Sequence, residues 1–254
     1  MQKSLLSTVL TQFATKPSGK SKPKMPTTSL ADFAMGPLKV NWKKDILTRA
    51  QKLAPQKTLQ EIVYTVVQYF NKHKLSLENF VKFDQKLYND YNNLDHSERV
   101  LLFATYIAIA ENVTPRGIQV LIDSAKLHDV GKTSFVSDLS HGQKGADLIK
   151  KYNLTNFEKN NDFMAVLALV DAHSAYDKNV EGILNKYEID LTNYEKVKKL
   201  CYILKDAELL DKVRVFNLPN ITQEDLPKVS MLRTKSAKTG IVAAFELLEF
   251  YNNN

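Results

Sequence analysis

Leu59, Ile62, Val63, Val66, Val67 and Phe70 fall at i, i+3, i+4, i+7, i+8 and i+11, which places six apolar side chains on one face of an α-helix. Stripes of this kind recur along the chain, and no run alternates apolar and polar residues with the period of two that a strand requires. Asp95 with Glu98 three residues on has the form of a capping box. It opens a helix running to about Ala110, whose second half is apolar nearly all round and therefore belongs at the centre of the fold. Thr114 and Pro115 supply an N-cap and a first-turn proline for the next helix, which runs to about His128 with Gly131 just beyond. Further helices are expected over Leu77–Tyr91 and near 140–152, 160–173, 193–214 and 236–251. With no hairpin signal and no internal repeat, the sequence predicts an all-α fold, a helical bundle with additional helices at both ends.

Charge divides the chain in two. The 254 residues carry a net +7, but Lys3, Lys16, Lys20, Lys22 and Lys24 lie in a segment, residues 1–31, that has no acidic residue, leaving +2 for the remainder. Between Thr15 and Thr28, prolines, serines, threonines and a glycine leave too little apolar surface to offset the entropy of ordering. Residues 1–40 are therefore read as a basic, disordered tail, and residues 41–254 as a single all-helical domain. Leu5, Leu6, Val9, Leu10 and Phe13 have the spacing of a short amphipathic helix within the tail. The tail is a candidate contact for an acidic partner, while the body requires no nucleic acid. Cys201 is the only cysteine and cannot form an intramolecular disulfide. No apolar run approaches the roughly 20 residues of a membrane span. The expectation is a cytoplasmic or otherwise intracellular protein, with organelle targeting or translocation through the tail left open.

The most informative residues are the histidines. Of five, His73 sits in a lysine-flanked helix end and reads as a surface residue. The other four fall on faces that should be buried. His173 follows Val166 and Val170 on the stripe that holds Phe163 and Leu167, and His141 shares a face with Gly145, Leu148 and Ile149. His96 precedes Val100, Phe103 and Ala104, while His128 continues the face of Leu121 and Ala125 beside Asp129. Asp206 is surrounded at helical spacing by Tyr202, Ile203, Leu209, Leu210 and Val213. A carboxylate placed there must be neutralised, paired with a cation or bound to a metal. Imidazole and carboxylate together suit divalent first-row metals.

The order His96, His128-Asp129, Asp206, in the contexts HSERV (His96 to Val100), KLHDVGK (Lys126 to Lys132) and KDAELLDKVR (Lys205 to Arg214), resembles the HD superfamily of metal-dependent phosphohydrolases. The likeness covers about residues 94–215, the motif-bearing core. Carried over, it implies His96, His128, Asp129 and Asp206 as metal ligands. His141 in SHGQKGA and His173 in VDAHSA match the two additional histidines of members that hold two ions, with the aspartate of the doublet bridging them. The implied cofactor is a pair of divalent ions, from manganese, iron, magnesium, cobalt, nickel or zinc. One ion, with His141 and His173 acting on substrate, is the alternative.

The implied activity is cleavage of a phosphate ester or anhydride, as a phosphomonoesterase or phosphodiesterase acting on a small phosphorylated substrate such as a nucleotide. Asp129 and Lys132 are the catalytic candidates. Lys132, Arg99 and Arg214 are the phosphate-binding ones, each arginine also a candidate structural partner of Glu98, Asp211 or a helix end. Ser174, Ala175 and Tyr176 stand where cyclic dinucleotide phosphodiesterases of the HD-GYP type carry their diagnostic residues, which argues against that subgroup. A di-iron oxygenase using the same six ligands and a non-catalytic binding module are the competing readings. Loops around Thr133–Ser140 and Ala175–Gly182 are expected to shape the pocket.

Overall fold

A computed structural model describes residues 66, 71–72, 94–133, 138–158, 160–215 and 228–252. Among them every regular element is helical. The tail at 1–40, the predicted helix at Leu77–Tyr91 and most of the stripe from Leu59 to Phe70 lie outside the described residues. Val66, from that stripe, is helical and fully buried in the common core.

Among the described residues from 94 on, seven α-helices follow in order: α1 (Leu94–Ala110), α2 (Pro115–Leu127), α3 (His141–Tyr152), α4 (Asn161–His173), α5 (Val180–Lys186), α6 (Leu191–Leu210) and α7 (Lys235–Asn252). Short 3-10 turns at Asp177–Asn179, Asp211–Val215 and Val229–Met231 join or extend them. The sequence foresees the α-helices except α5, which with the 3-10 turn leading into it begins in the Ala175–Gly182 stretch read as a pocket loop, and it does not foresee the turn at Val229–Met231. α5 is short and is fixed by tertiary contacts. Val180 and Leu184 are buried, and the Asp171 carboxylate on α4 accepts hydrogen bonds from Lys186 Nζ at 2.7 Å and Tyr187 Oη at 3.0 Å.

α1 is the central rod. Val100 to Phe103 and Ile107 to Ala108 are fully buried, and α2, α6 and α7 all pack on it. It begins at Leu94, so Asp95 lies inside the first turn instead of capping it, and Asp95 and Glu98 both accept from Tyr251 Oη of α7. The expected capping box is thus used to join two helices. At α2 the local chemistry acts as expected: Thr114 Oγ1 accepts from the Gly117 amide at 3.2 Å, with Pro115 in the first turn. α4 packs against α2, α3 and α6, so α1, α2, α3, α4 and α6 bring one end each to a common point.

Candidate metal centre

Four of the five histidines stand at helix termini. His96 is in the first turn of α1, His128 directly follows α2, His141 opens α3 and His173 closes α4. His128 Nδ1 donates to the Ala125 carbonyl at 2.7 Å and His173 Nδ1 to the Val170 carbonyl at 2.6 Å, using acceptors that a helix C-terminus leaves over. His141 Nδ1 donates to the Asp138 carbonyl. A carbonyl can only accept, so each ring carries a proton on Nδ1 and its Nε2 points away from the backbone. His96 is oriented differently: its Nδ1 lies 2.8 Å from Asp211 Oδ2.

These Nε2 atoms converge on Asp129. His141 and His173 Nε2 lie 3.2 and 3.5 Å from Asp129 Oδ1, and His96 and His128 Nε2 each lie 3.7 Å from Oδ2. The two carboxylate oxygens thus face different histidine pairs. Two triads result, His96-His128-Asp129 and Asp129-His141-His173, each with ligand atoms within 4.8 Å of one another. Imidazole nitrogens and a shared carboxylate on the inward side of helix ends form a donor set that fits divalent first-row ions.

Close backbone packing makes the second triad possible. A Cβ on Gly142, next to His141, would stand 2.6 Å from the Val170 carbonyl oxygen and 2.7 Å from that of Asp171. A Cβ on Gly131, two residues after the doublet, would stand 2.3 Å from the His141 carbonyl oxygen and from the Gly145 amide nitrogen. Only residues lacking a side chain let the start of α3, the end of α4 and the turn after Asp129 meet this closely. Gly142→Ala is expected to cost about 1–3 kcal/mol through overpacking and to move His141 away from His173. Denaturant unfolding together with metal titration checks this, and wild-type behaviour in both would contradict it.

The electrostatics reflect crowded charge. Burial alone would lower the His96 imidazole, but the Glu208 carboxylate and the hydrogen bond with Asp211 outweigh it and push it up to about 10. His128 is raised against its own burial by Asp129 and Glu208, whereas burial prevails at His173 and lowers it. Asp129 is held far below the usual carboxylate range, because the charge of His128 and the hydrogen bonds of His141 and His173 outweigh burial. In the metal-free protein, protons on imidazoles balance carboxylates that a dication would otherwise neutralise.

Asp206 is not at this centre. Its fully buried carboxylate accepts from the Arg233 and Thr234 amides at 2.9 and 2.7 Å, from Thr234 Oγ1 at 2.8 Å and from the Arg233 guanidinium at 3.1 Å. The expectation of Asp206 as a ligand is therefore corrected. Of the outcomes open to a carboxylate in apolar surroundings, pairing with a cation is the one realised. The carboxylate that α6 does bring to the histidines belongs to Glu208, with Oε1 2.6 Å from His128 Nε2 and 3.2 Å from His96 Nε2. The sequence carried a usable signal, the i, i+3 pair Glu208 and Asp211, whose shared face lets both address one imidazole.

Both arginines engage Asp211. Arg99 Nε donates to Asp211 Oδ1 at 2.7 Å and an Arg214 guanidinium nitrogen to Asp211 Oδ2 at 2.5 Å, so both hold the carboxylate that orients His96. Lys132 Nζ lies 3.0 Å from Asp129 Oδ2 with its side chain 30% exposed, at the doublet and open to solvent. A cavity of about 260 Å³ lined by Thr114, Gly117, Val120, Met164, Val197 and Leu200 lies near the starts of α2, α4 and α6, the opposite end from the histidines, and belongs to a different part of the fold.

Residues 93–213 match the family model described as HD domain. Neither the curated proteins nor the solved structures return a match to the chain. No helix among the described residues is long and apolar enough to cross a membrane.

Proposed function

With residues 93–213 an HD domain, we propose that this protein is a metal-dependent phosphohydrolase with a two-ion centre, cleaving phosphate esters or anhydrides of small molecules, nucleotides first among them. The observation that carries the proposal is the sharing of Asp129 between two histidine pairs through its two different oxygens. His96, His128, Glu208 and Asp129 would hold one ion, and His141, His173 and Asp129 the other. Bound there, such ions supply Lewis acidity toward a phosphoryl group and a source of hydroxide near neutral pH.

The remaining work falls to side chains of this chain. The Nδ1 bonds to Ala125, Val170 and Asp138 fix three imidazole planes before any ligand arrives, so little reorganisation is left for the reaction. Asp211, held from two sides by Arg99 and Arg214, does the same for His96. Lys132, salt-bridged to Asp129 and partly open to solvent, would donate to a non-bridging phosphoryl oxygen as negative charge builds there. In this reading Arg99 and Arg214 do not bind substrate.

The test is to load the purified protein with manganese, iron or nickel and assay p-nitrophenyl phosphate, its bis ester, nucleotides and dinucleoside polyphosphates. Phosphate or nucleotide release without oxygen consumption supports hydrolysis. Oxygen uptake with iron and no phosphate release overturns it.

Loading is expected to be strongly pH-dependent, with a definite sign. A ligand imidazole must bind through a bare nitrogen, and metal-free His96 stays protonated up to about 10. Uptake at pH 7.5 should therefore release about one proton or more per chain, and affinity should rise about tenfold per pH unit for each proton displaced. The raised His96 value also stabilises the metal-free fold fully below the ordinary imidazole range, an effect lost as pH rises toward 10. Calorimetry in buffers of different ionisation enthalpy measures the protons, and buffer-independent heats would contradict the expectation.

A further inference from the structure

We propose that Lys205 is a positioning residue that clamps the His173 end of α4 to α6 and thereby fixes the separation of the two halves of the metal centre. The proposal rests on the two-ion reading above. Lys205 lies on α6 with its side chain 5% exposed. Its ammonium donates to the carbonyls of Ala172 at 3.1 Å, His173 at 3.2 Å and Ala175 at 2.5 Å. An ammonium has three N–H donors, and here each has a carbonyl from the last turn of α4 or the residues just beyond it. A helix end leaves its final carbonyls short of amide donors and carries partial negative charge, so a buried cation is the matching cap. Asp177, 3.5 Å away, supplies the countercharge.

Position along α6 gives this cap its consequence. Glu208 follows Lys205 by three residues, about 60° further round the same helix face. One turn of α6 therefore reaches in two directions, through Glu208 to His96 and His128, and through Lys205 to the backbone of His173 itself. The His173 end of α4 meets α3 through close glycine packing, the contact of His173 with His141, and Ser174 Oγ, which accepts from the Gly142 amide and donates to the Leu139 carbonyl; it meets α6 through this ammonium. Removing the three bonds frees the end of α4 to move relative to Glu208, and Asp129 can then no longer serve both histidine pairs at once.

The experiment compares manganese binding to wild type, Lys205→Met and Thr114→Ala, by titration and by electron paramagnetic resonance. Methionine keeps most of the side-chain volume and deletes the donors. Thr114→Ala removes the N-cap of α2 at the far end and reports what destabilisation alone does. Wild type is expected to take up two ions with an exchange-coupled spectrum. Lys205→Met should keep one ion near wild-type affinity and bind the second at least about tenfold more weakly, with the spectrum of an isolated ion. If Lys205→Met does not fold, Lys205→Gln, which retains two N–H donors, should show an intermediate weakening of the second ion only. Two equally tight, coupled ions in either variant, or losses matched by Thr114→Ala, overturn the role of Lys205 alone. A wild type that binds a single ion overturns the two-ion reading and this proposal with it.

Discussion

Asp129→Ala is expected, in the two-ion phosphohydrolase proposed above, to lose both ions and to lower activity about a thousandfold or more. The reason is connectivity: the two oxygens of this one carboxylate face different histidine pairs, so its removal takes a ligand from both halves at once. Charge stabilisation by bound metal amounts to several kcal/mol in a transition state, and each decade of rate corresponds to about 1.4 kcal/mol. The helices should survive. Asp129 lies in the turn after α2, outside the regular helices, and three of its four histidine partners keep their Nδ1 bonds to backbone. Metal content by mass spectrometry, turnover with a p-nitrophenyl ester and far-ultraviolet circular dichroism together check the prediction. Retention of two ions would remove Asp129 from the shared position.

The second large effect is a separation between neighbours on α6. Glu208→Gln should lose the ion of the His96-His128 half while unfolding much as wild type, because its side chain is 27% exposed and pairs with the two histidines. Asp206→Asn should behave in the opposite way. It leaves the histidines untouched but strips charge from a buried carboxylate that ties Arg233 and Thr234, the lead into α7, to α6. Breaking a buried ion pair typically costs about 3–5 kcal/mol, and Arg233 keeps its bonds to Asp177, so the lower end of that range is expected. Urea midpoints and metal stoichiometry of both variants decide the matter. A stable Asp206→Asn that has lost metal would return Asp206 to the ligand set.

That contrast also marks where sequence reasoning stopped. Periodicity is local, so the helices carrying the motif could be read directly. So could the helix-end histidines and the His128-Asp129 doublet, whose spacing and flanks carry the family resemblance. Asp206 and Glu208 lie two residues apart on α6, and at about 100° per residue they leave the helix in nearly opposite directions. Which of them meets an imidazole depends on how α6 is rotated against α1 and α4, and burial of Val197, Leu200, Ile203, Leu204 and Leu210 decides that rotation. Apolar neighbours identified Asp206 correctly as buried, yet burial could not say whether its partner would be a metal or Arg233, which lies 27 residues downstream.

The same limit applies to Arg99 and Arg214. Asp211 was among the partners the sequence offered them, beside Glu98, a helix end and a phosphate, but the choice among these required the first turn of α1 and the end of α6 to meet. The glycines show it most plainly. The sequence displays Gly131 and Gly142 as single residues beside histidines, while their reason is a backbone contact between α3, α4 and the turn after Asp129. Helix type, the approximate places of the longer helices and the four helix-end histidines thus follow from the sequence, since they depend on residues a few positions apart. The carboxylate that α6 brings to the histidines, the partners of the arginines and the spacing of the two histidine pairs follow from tertiary packing, because they are fixed by contacts between segments about 30 to 115 residues apart, which pack according to the whole apolar core.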